Sequence, residues 1–379
     1  MNNIIEKFDK YLAPEGPAAL VIREHLMPVE GNDGVFFPST FADIGYNIDY
    51  ENTRDKSDRN IALIDSVGSQ ANRIEPMFAE GEYAKLVPQV TIKVGEKTVN
   101  LLEAGHRAGD AIVRCSPLKD DLHCAFKKAI KGDVLPLAKL APTSLVFGVW
   151  DSRDTQAKLP RLISSTIRAY DVRRLTRSAT YFAPVDYAAE NIFTEEEKQK
   201  AEGDTKNPLS QRGFVNALAT GTHGGVIAEG GIRRDAVLAL SALRLLKADE
   251  NENTRKLQRY ILGLALVAFT RLPLGYYRQG TILVLDPERQ KEFSEVALNG
   301  TRTPSTITHE DALSFAKAAA NNFGVEQDTN VDFDPEKARM DVKGKEDKKG
   351  GKKGKAGKGK VDETETQKVE DETTAEVIE

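Results

Sequence analysis

TSLVFGVWDSRDTQAKLPRLISSTIRAYDVRRLTRS, residues 143–178, is the stretch whose reading decides the fold. Its apolar opening, 143–150, reads as a buried strand. Pro160 stands near the first turn of the next element, where a missing N–H leaves no helical bond unmade. Leu159, Leu162, Ile163, Ile167 and Tyr170 then recur at helical spacing, so a helix is expected with Arg161, Ser165 and Arg168 on its other side. Strand followed by helix, without the regular alternation of a doubly wound sheet, points to an α+β protein.

Working outward toward the N-terminus, residues 18–22 read as a first strand, 31–34 as a turn and 35–38 as a short extended segment. The charged loop YENTRDKSDRN precedes an expected helix over 61–78, and a strand pair over 86–102 turns at Gly95-Glu96. Toward the C-terminus, the polar stretch 190–212 reads as an insertion or mobile loop and GTHGGVIAEGG, 221–231, as a Gly-rich loop. Two apolar helices are expected over 232–247 and 254–269, a strand over 281–285 and a last helix over 309–323. No internal repeat is visible. The body spans 1–335. The remainder, 336–379, is Lys/Gly-rich (KGKEDKKGGKKGKAGKGK) and then acidic (VDETETQKVEDETTAEVIE). Neither block can bury enough apolar surface to offset its ordering entropy, so a disordered tail is expected. The lysines read as a solvated tail or as weak, sequence-blind contacts to nucleic acid.

An apolar fraction of 40% with 29% charged residues is ordinary for a globular chain of 379 residues. Two cysteines, Cys115 and Cys124, exclude a disulfide framework. No apolar segment follows the start MNNIIEKFDKYLAPEGP, and the run 261–269 is shorter than the roughly 20 residues of a membrane span. A cytoplasmic protein without a membrane partner is expected. The net charge of -5 argues against a basic coat, yet phosphate senses only nearby cations.

Three segments carry candidate chemistry. In ALIDSVGSQANRIEP, read as a helix, Leu63, Ile64, Val67, Ala71 and Ile74 share one face. Ser66, Ser69, Gln70 and Arg73, with Asn72 beside them, form a polar sector that can donate to phosphates and 2′-hydroxyls without reading bases. An ordinary solvated face explains the same residues. Between Asp151 and Ser178, seven basic residues (Arg153, Lys158, Arg161, Arg168, Arg173, Arg174, Arg177) outnumber three acidic ones. That excess reads as a phosphate track or as surface salt bridges with Asp151, Asp154 and Asp171. The third segment, LGYYRQGTILVL, places Arg278 and Gln279 just before a strand.

Other chemistries find little support. GTHGGVIAEGG has neither GxxxxGK[ST] nor GxGxxG spacing, which argues against a nucleotide triphosphate site. A helix opening at Arg233-Arg234-Asp235 could still touch phosphate through its N-terminus. His106, Cys115, His123 and Cys124 fit no zinc spacing, and no GxSxG or HExxH motif occurs. His25 and His223 are lone candidates for a general base in RNA cleavage. No cofactor is expected, and no enzymatic activity.

VFFPSTFADIGYNI, ALIDSVGSQANRIEP, PLAKLAPTSLVFGVWDSRDTQAKLPRLISSTIRA, GGIRRDAVLALSALRLL and YYRQGTILVL, spread from Val35 to Leu285, together resemble one family. It is the backbone subunit of the type I-G (earlier I-U) CRISPR effector complex, Cascade, in the RAMP superfamily. The resemblance implies a modified RRM (ferredoxin-like) core with large insertions, one of them thumb-like. It implies a non-catalytic subunit whose copies line up head to tail along the spacer of the guide RNA (crRNA). The guide is held by its backbone, so that its bases pair with target DNA. Further Cascade subunits, and a recruited helicase-nuclease that does the cutting, are implied partners in antiviral defence. Under this resemblance Ser66, Ser69, Gln70, Asn72, Arg73, Arg153, Lys158, Arg161, Arg168, Arg173, Arg174, Arg278 and Gln279 become guide contacts. Phe36, Phe37 and Tyr46 become candidates to stack on bases. An endoribonuclease of the same superfamily that processes precursor guide RNA is one alternative. A general single-strand-binding protein that uses its lysine tail is another.

Overall fold

A computed structural model describes residues 2–52 and 59–350, so part of the charged loop and residues 351–379 of the tail lie outside the described residues. The chain is mixed α+β, as its irregular pattern led us to expect.

Strand β1 (Ala19–Pro28) lies at the middle of a nine-stranded sheet. Along one side it pairs with β7 (Ile232–Ala239), from Ala19 opposite Ala239 to Leu26 opposite Ile232. Beyond β7 come β4 (Ile163–Tyr170), β3 (Asn60–Asp65) and β2 (Ile48–Tyr50). The other side of β1 is shared: β10 (Glu292–Val296) pairs with Ala19 to Arg23, and β9 (Thr281–Leu285) with Leu26 to Pro28. Short strands β8 (Tyr276–Arg278) and β11 (Arg302–Pro304) flank these. Every pairing in this sheet is antiparallel.

Because side chains alternate across a strand, β1 buries Leu20, Ile22, Glu24 and Leu26 and leaves Val21, Arg23, His25 and Met27 on the opposite face. The buried face is covered by helices α3 (Asn251–Thr270) and α4 (His309–Phe323). The first of these is apolar nearly all round beyond Leu257, as an enclosed helix must be. The two helices meet at Gly263, where an added Cβ would come within 2.8 Å of the Ala316 Cα. The core divides into two apolar clusters. The larger holds Leu20, Ile22, Leu238, Ile261 and Phe315; the smaller holds Leu26, Phe36, Ile64, Ile167, Val226 and Ile232. No helix of the described residues is long and apolar enough to cross a membrane.

Several expected helices are strands. Residues 60–65 form β3, and the helix that follows, α1 (Val67–Ile74), starts only after Ser66, whose hydroxyl accepts from the Ser69 amide. Residues 163–170 form β4: Ile163, Ser165, Ile167 and Ala169 face the core. Leu159 belongs to the short strand Lys158–Leu159, paired with Val149–Trp150, and Leu162 to the bend between Lys158–Leu159 and β4. Their helical spacing was coincidental, and Arg161 and Arg168 do not share a helix face. Residues 232–239 form β7, followed by a single helical turn, Leu240–Leu243, so no helix N-terminus stands at Arg233-Arg234-Asp235. Conversely, the expected strand over 143–150 is a helix, Thr143–Phe147, ended by Gly148 at φ 79° before the strand Val149–Trp150.

The Gly-rich loop is also strand for most of its length. It lies in β6 (Ala217–Ala228), which pairs with β5 (Val172–Tyr181) as a two-stranded arm continuing directly from β4 and returning into β7. The polar insertion sits at the far end of this arm and carries helix α2 (Glu195–Ala201), opened by a Thr194–Glu197 capping box. Tyr187 packs edge-on against Phe193 and Phe214, which tilt against each other, in a small aromatic cluster there. After α4 the strand Thr329–Asp332 joins Val90–Val94 in parallel, and the strand Lys97–Asn100 completes the expected hairpin at Gly95-Glu96. The expected tail begins as helix α5 (Pro335–Gly350), whose first amides bond Asp334.

Candidate nucleic-acid interface

The polar sector around Gln70 is organised by a carboxylate, Asp65, whose side chain has 0% exposure at the end of β3. Ser69 Oγ donates to it at 2.6 Å and Gln70 Nε2 at 2.5 Å. Arg73 approaches to 3.2 Å and Arg278 to 3.5 Å. Gln70 is itself buried and accepts from Ser165 Oγ, 2.9 Å, which ties α1 to β4. Ser66, Ser69 and Gln70 therefore use their polar groups to cap and anchor α1. Asn72 Oδ1 accepts from Arg107, 3.1 Å, although the residue is exposed. Arg278 donates to the carbonyls of Phe37 and Ile64, and burial holds its guanidinium below the usual value. Gln279, in the turn after it, is exposed.

Beside this network, between the two apolar clusters, is a small cavity to which Gln70, Arg73, Arg234, Arg271 and Tyr277 contribute. Arg234 is buried on β7 and donates to Glu24 on β1, 2.6 Å away, and Lys291 holds the other oxygen of that carboxylate at 2.9 Å. Arg271 lies over the Tyr83 ring. Burial pushes the Tyr277 hydroxyl up to about 12, so it stays protonated and able to donate. Three guanidiniums (Arg73, Arg234, Arg271) thus line the cavity, with Arg278 sharing Asp65 with Arg73 behind it and Glu24 paired with Arg234. Planar donors in excess over carboxylates are suited to an oxyanion held by two or more of them.

The second segment does not form one track. Arg153 is exposed in a tight turn over 151–155 that is closed by Asp151, which accepts from Thr155 N and Oγ1 at 2.8 and 2.6 Å. Lys158 lies over the Trp150 ring, and Arg161 donates to the Phe147 carbonyl. Arg168 leaves β4 on the face opposite the helices and donates to the Thr166 hydroxyl, 2.7 Å. Arg173 pairs with Glu229 at 3.0 Å, and Arg174 stands exposed near the base of the arm. These cations are distributed over a turn, a strand and the arm.

The three aromatic candidates are not on the open sheet. Phe36 and Tyr46 belong to the smaller core cluster, and Phe37 packs over Gly280. His223 packs against the Tyr46 ring, 4.6 Å between centroids, and His25 neighbours Arg289. Among the described residues no group of three or more His, Cys, Asp or Glu is placed to hold a metal. Sequence reasoning missed Arg271 and Glu24, and misplaced Arg234. Arg234 carried no such signal: burial alternates through Ile232, Arg234, Ala236 and Leu238, but the charge at Arg234 hides that alternation in IRRDAVLA.

Fold and site together describe a mixed α+β protein with an arginine-lined recess between helix α1 and the sheet. A family model described as CRISPR-associated protein GSU0053 (Cas_GSU0053) matches residues 20–174, from β1 to the start of the arm. The match supports a CRISPR-associated protein with a role in CRISPR defence. No curated protein matches the chain.

Proposed function

We propose that this chain is a non-catalytic backbone subunit of a type I-G Cascade complex, holding the crRNA by its sugar–phosphate chain while target DNA pairs with the bases. The observation that carries the reading is the recess beside α1, where Arg73, inside the stretch 20–174 that the CRISPR-associated model matches, meets Arg234 and Arg271 from beyond it. Contacts of this kind are indifferent to sequence, which a subunit repeated along any spacer requires. The sheet order supports a modified ferredoxin-like core: β9 and β10 beside β1, then β7, then β4, with helices in the β1–β4 and β7–β9 connections. The arm, inserted between β4 and β7, takes the part of the thumb. Head-to-tail copies, the other Cascade subunits and the helicase-nuclease are the partners this reading entails, with no membrane involved.

The test is to co-purify the chain with the products of neighbouring genes and characterise the bound nucleic acid. A uniform RNA carrying repeat and spacer is expected. The Arg73→Gln/Arg271→Gln variant should weaken its retention alike for every spacer, with a salt slope shallower by roughly 1.4 for two lost single-strand phosphate contacts. An assembly free of polynucleotide, or a loss confined to certain spacers, would overturn the reading.

A further inference from the structure

The face of the sheet turned away from α3 and α4 carries a basic row of its own. Register places Arg168 of β4 opposite Arg233 of β7, and Arg233 opposite His25 of β1. Arg289 reaches the row from the β9–β10 loop, with its Nη1 3.4 Å from His25 Nδ1. Like charges directly opposite one another across strands destabilise a sheet unless an anion lies between them. The neighbouring row balances itself: Arg23 meets Asp235 at 3.3 Å and Glu292 at 3.5 Å. The basic row does not. Arg233 shares Asp235 with Arg23, donates to the Tyr170 hydroxyl at 2.8 Å and lies over that ring. Arg289 has Asp286 at 3.6 Å, and Arg168 leans on a hydroxyl.

Beside the row the same face turns apolar and aromatic. Met27 pairs with Val284, Val29 bonds the carbonyl of Ile282, and Ile282 faces Tyr276 on the edge strand. Tyr276 is 60% exposed, and Val29, Ile282 and Val284 are also open to solvent. Register sets Tyr276 two strands across from β1 and level with Val29, four residues along from His25. The ring therefore lies about 16 Å from the His25 position at ordinary strand spacing and rise, a span of a few nucleotides. Basic groups that track a backbone next to an exposed ring are how single strands are gripped without regard to sequence.

We propose that this open face binds a second single strand of nucleic acid, with its phosphates along Arg168, Arg233 and Arg289 and a base on Tyr276. The site lies across the sheet from the recess beside α1 and does not depend on it. His25 supplies a signature. Burial, then Arg289 and Arg233, hold its pKa below the usual value against the opposing pull of Asp286 and Glu292. A phosphate in the row raises it, so binding here takes up a proton and tightens as pH falls.

The experiment is equilibrium titration of the full chain, stripped of co-purifying RNA, with fluorescent oligouridylate, counting strands bound per protomer. Two classes are expected. The Arg289→Gln/Tyr276→Ala variant, altered only at exposed positions, should lose one class by roughly 10- to 100-fold, and with it the pH dependence. Arg73→Gln/Arg271→Gln should lose the other. Loss of all binding in the first variant with none in the second supports this site and sinks the guide reading. A single class that Arg289→Gln/Tyr276→Ala leaves unchanged overturns the proposal. So does a variant that loses only a peptide of residues 361–379, which would make the face a dock for acidic protein.

Discussion

Glu75 and Arg107 hold the back of helix α1 through a buried pair, with Arg107 Nε donating to Glu75 Oε2 at 2.5 Å. The same guanidinium donates to Asn72 and to the Gly148 carbonyl and lies over the Phe147 ring, so it fixes the angle at which α1 presents Arg73. Burial pushes the Glu75 carboxyl from 4.5 up to about 7, against the pull of Arg107. Between those values the folded chain keeps a proton that the unfolded chain has released. The stability gained from it is complete below about 4.5 and drains away as pH rises through 7. Glu75→Gln keeps an oxygen for Arg107 and removes the titration. Urea unfolding at a series of pH values should show wild type losing stability relative to the variant across this window; parallel profiles would refute it. At this scale the sequence was half legible. Ser66, Ser69, Gln70 and Arg73 were read as one polar sector, but Asp65, one residue before them, was not seen as the carboxylate that Ser69, Gln70 and Arg73 surround, because nothing in a linear pattern says that a carboxylate is buried.

Helices α3 and α4 approach so closely at Gly263 that a methyl group there meets the Ala316 Cα at 2.8 Å. Gly→Ala inside a helix ordinarily stabilises by about 1 kcal/mol. Here Gly263→Ala should destabilise by about 1–3 kcal/mol, since backbone cannot yield as a side chain can. Denaturant unfolding reads the sign directly. Both helices were legible in the sequence, α4 to the residue and α3 to within a turn, because long apolar periodicity is hard to mistake. The central strands were not. In β4 the buried face includes Ser165, satisfied by Gln70, and in β7 it includes Arg234, satisfied by Glu24. Each polar residue breaks the alternation that announces a strand, and each is buried only because of a partner far along the chain. The polar residues that obscured the fold in the sequence are the ones that build the recess.

The charge of the whole molecule is divided in an uneven way. Residues 343–360 carry nine lysines against two carboxylates, and residues 361–379 carry eight carboxylates against one lysine. The two blocks cancel, so the body without its tail keeps the same net charge of -5 as the full chain. If RNA is held by arginines of the body, as proposed, deleting 343–379 should therefore leave the affinity for unstructured RNA within about threefold of wild type. Deleting only 361–379 removes eight carboxylates and leaves the nine lysines without that counter-charge. Affinity should rise for every sequence alike, with a salt slope steeper by roughly 0.7 for each lysine that reaches a phosphate. Filter binding over a salt series separates the cases. If the longer deletion abolishes RNA retention, the lysine block is the binding element and the arginines of the sheet and of α1 are structural. If the shorter deletion changes nothing, the acidic block does not screen the lysines, and the two halves of the tail act apart.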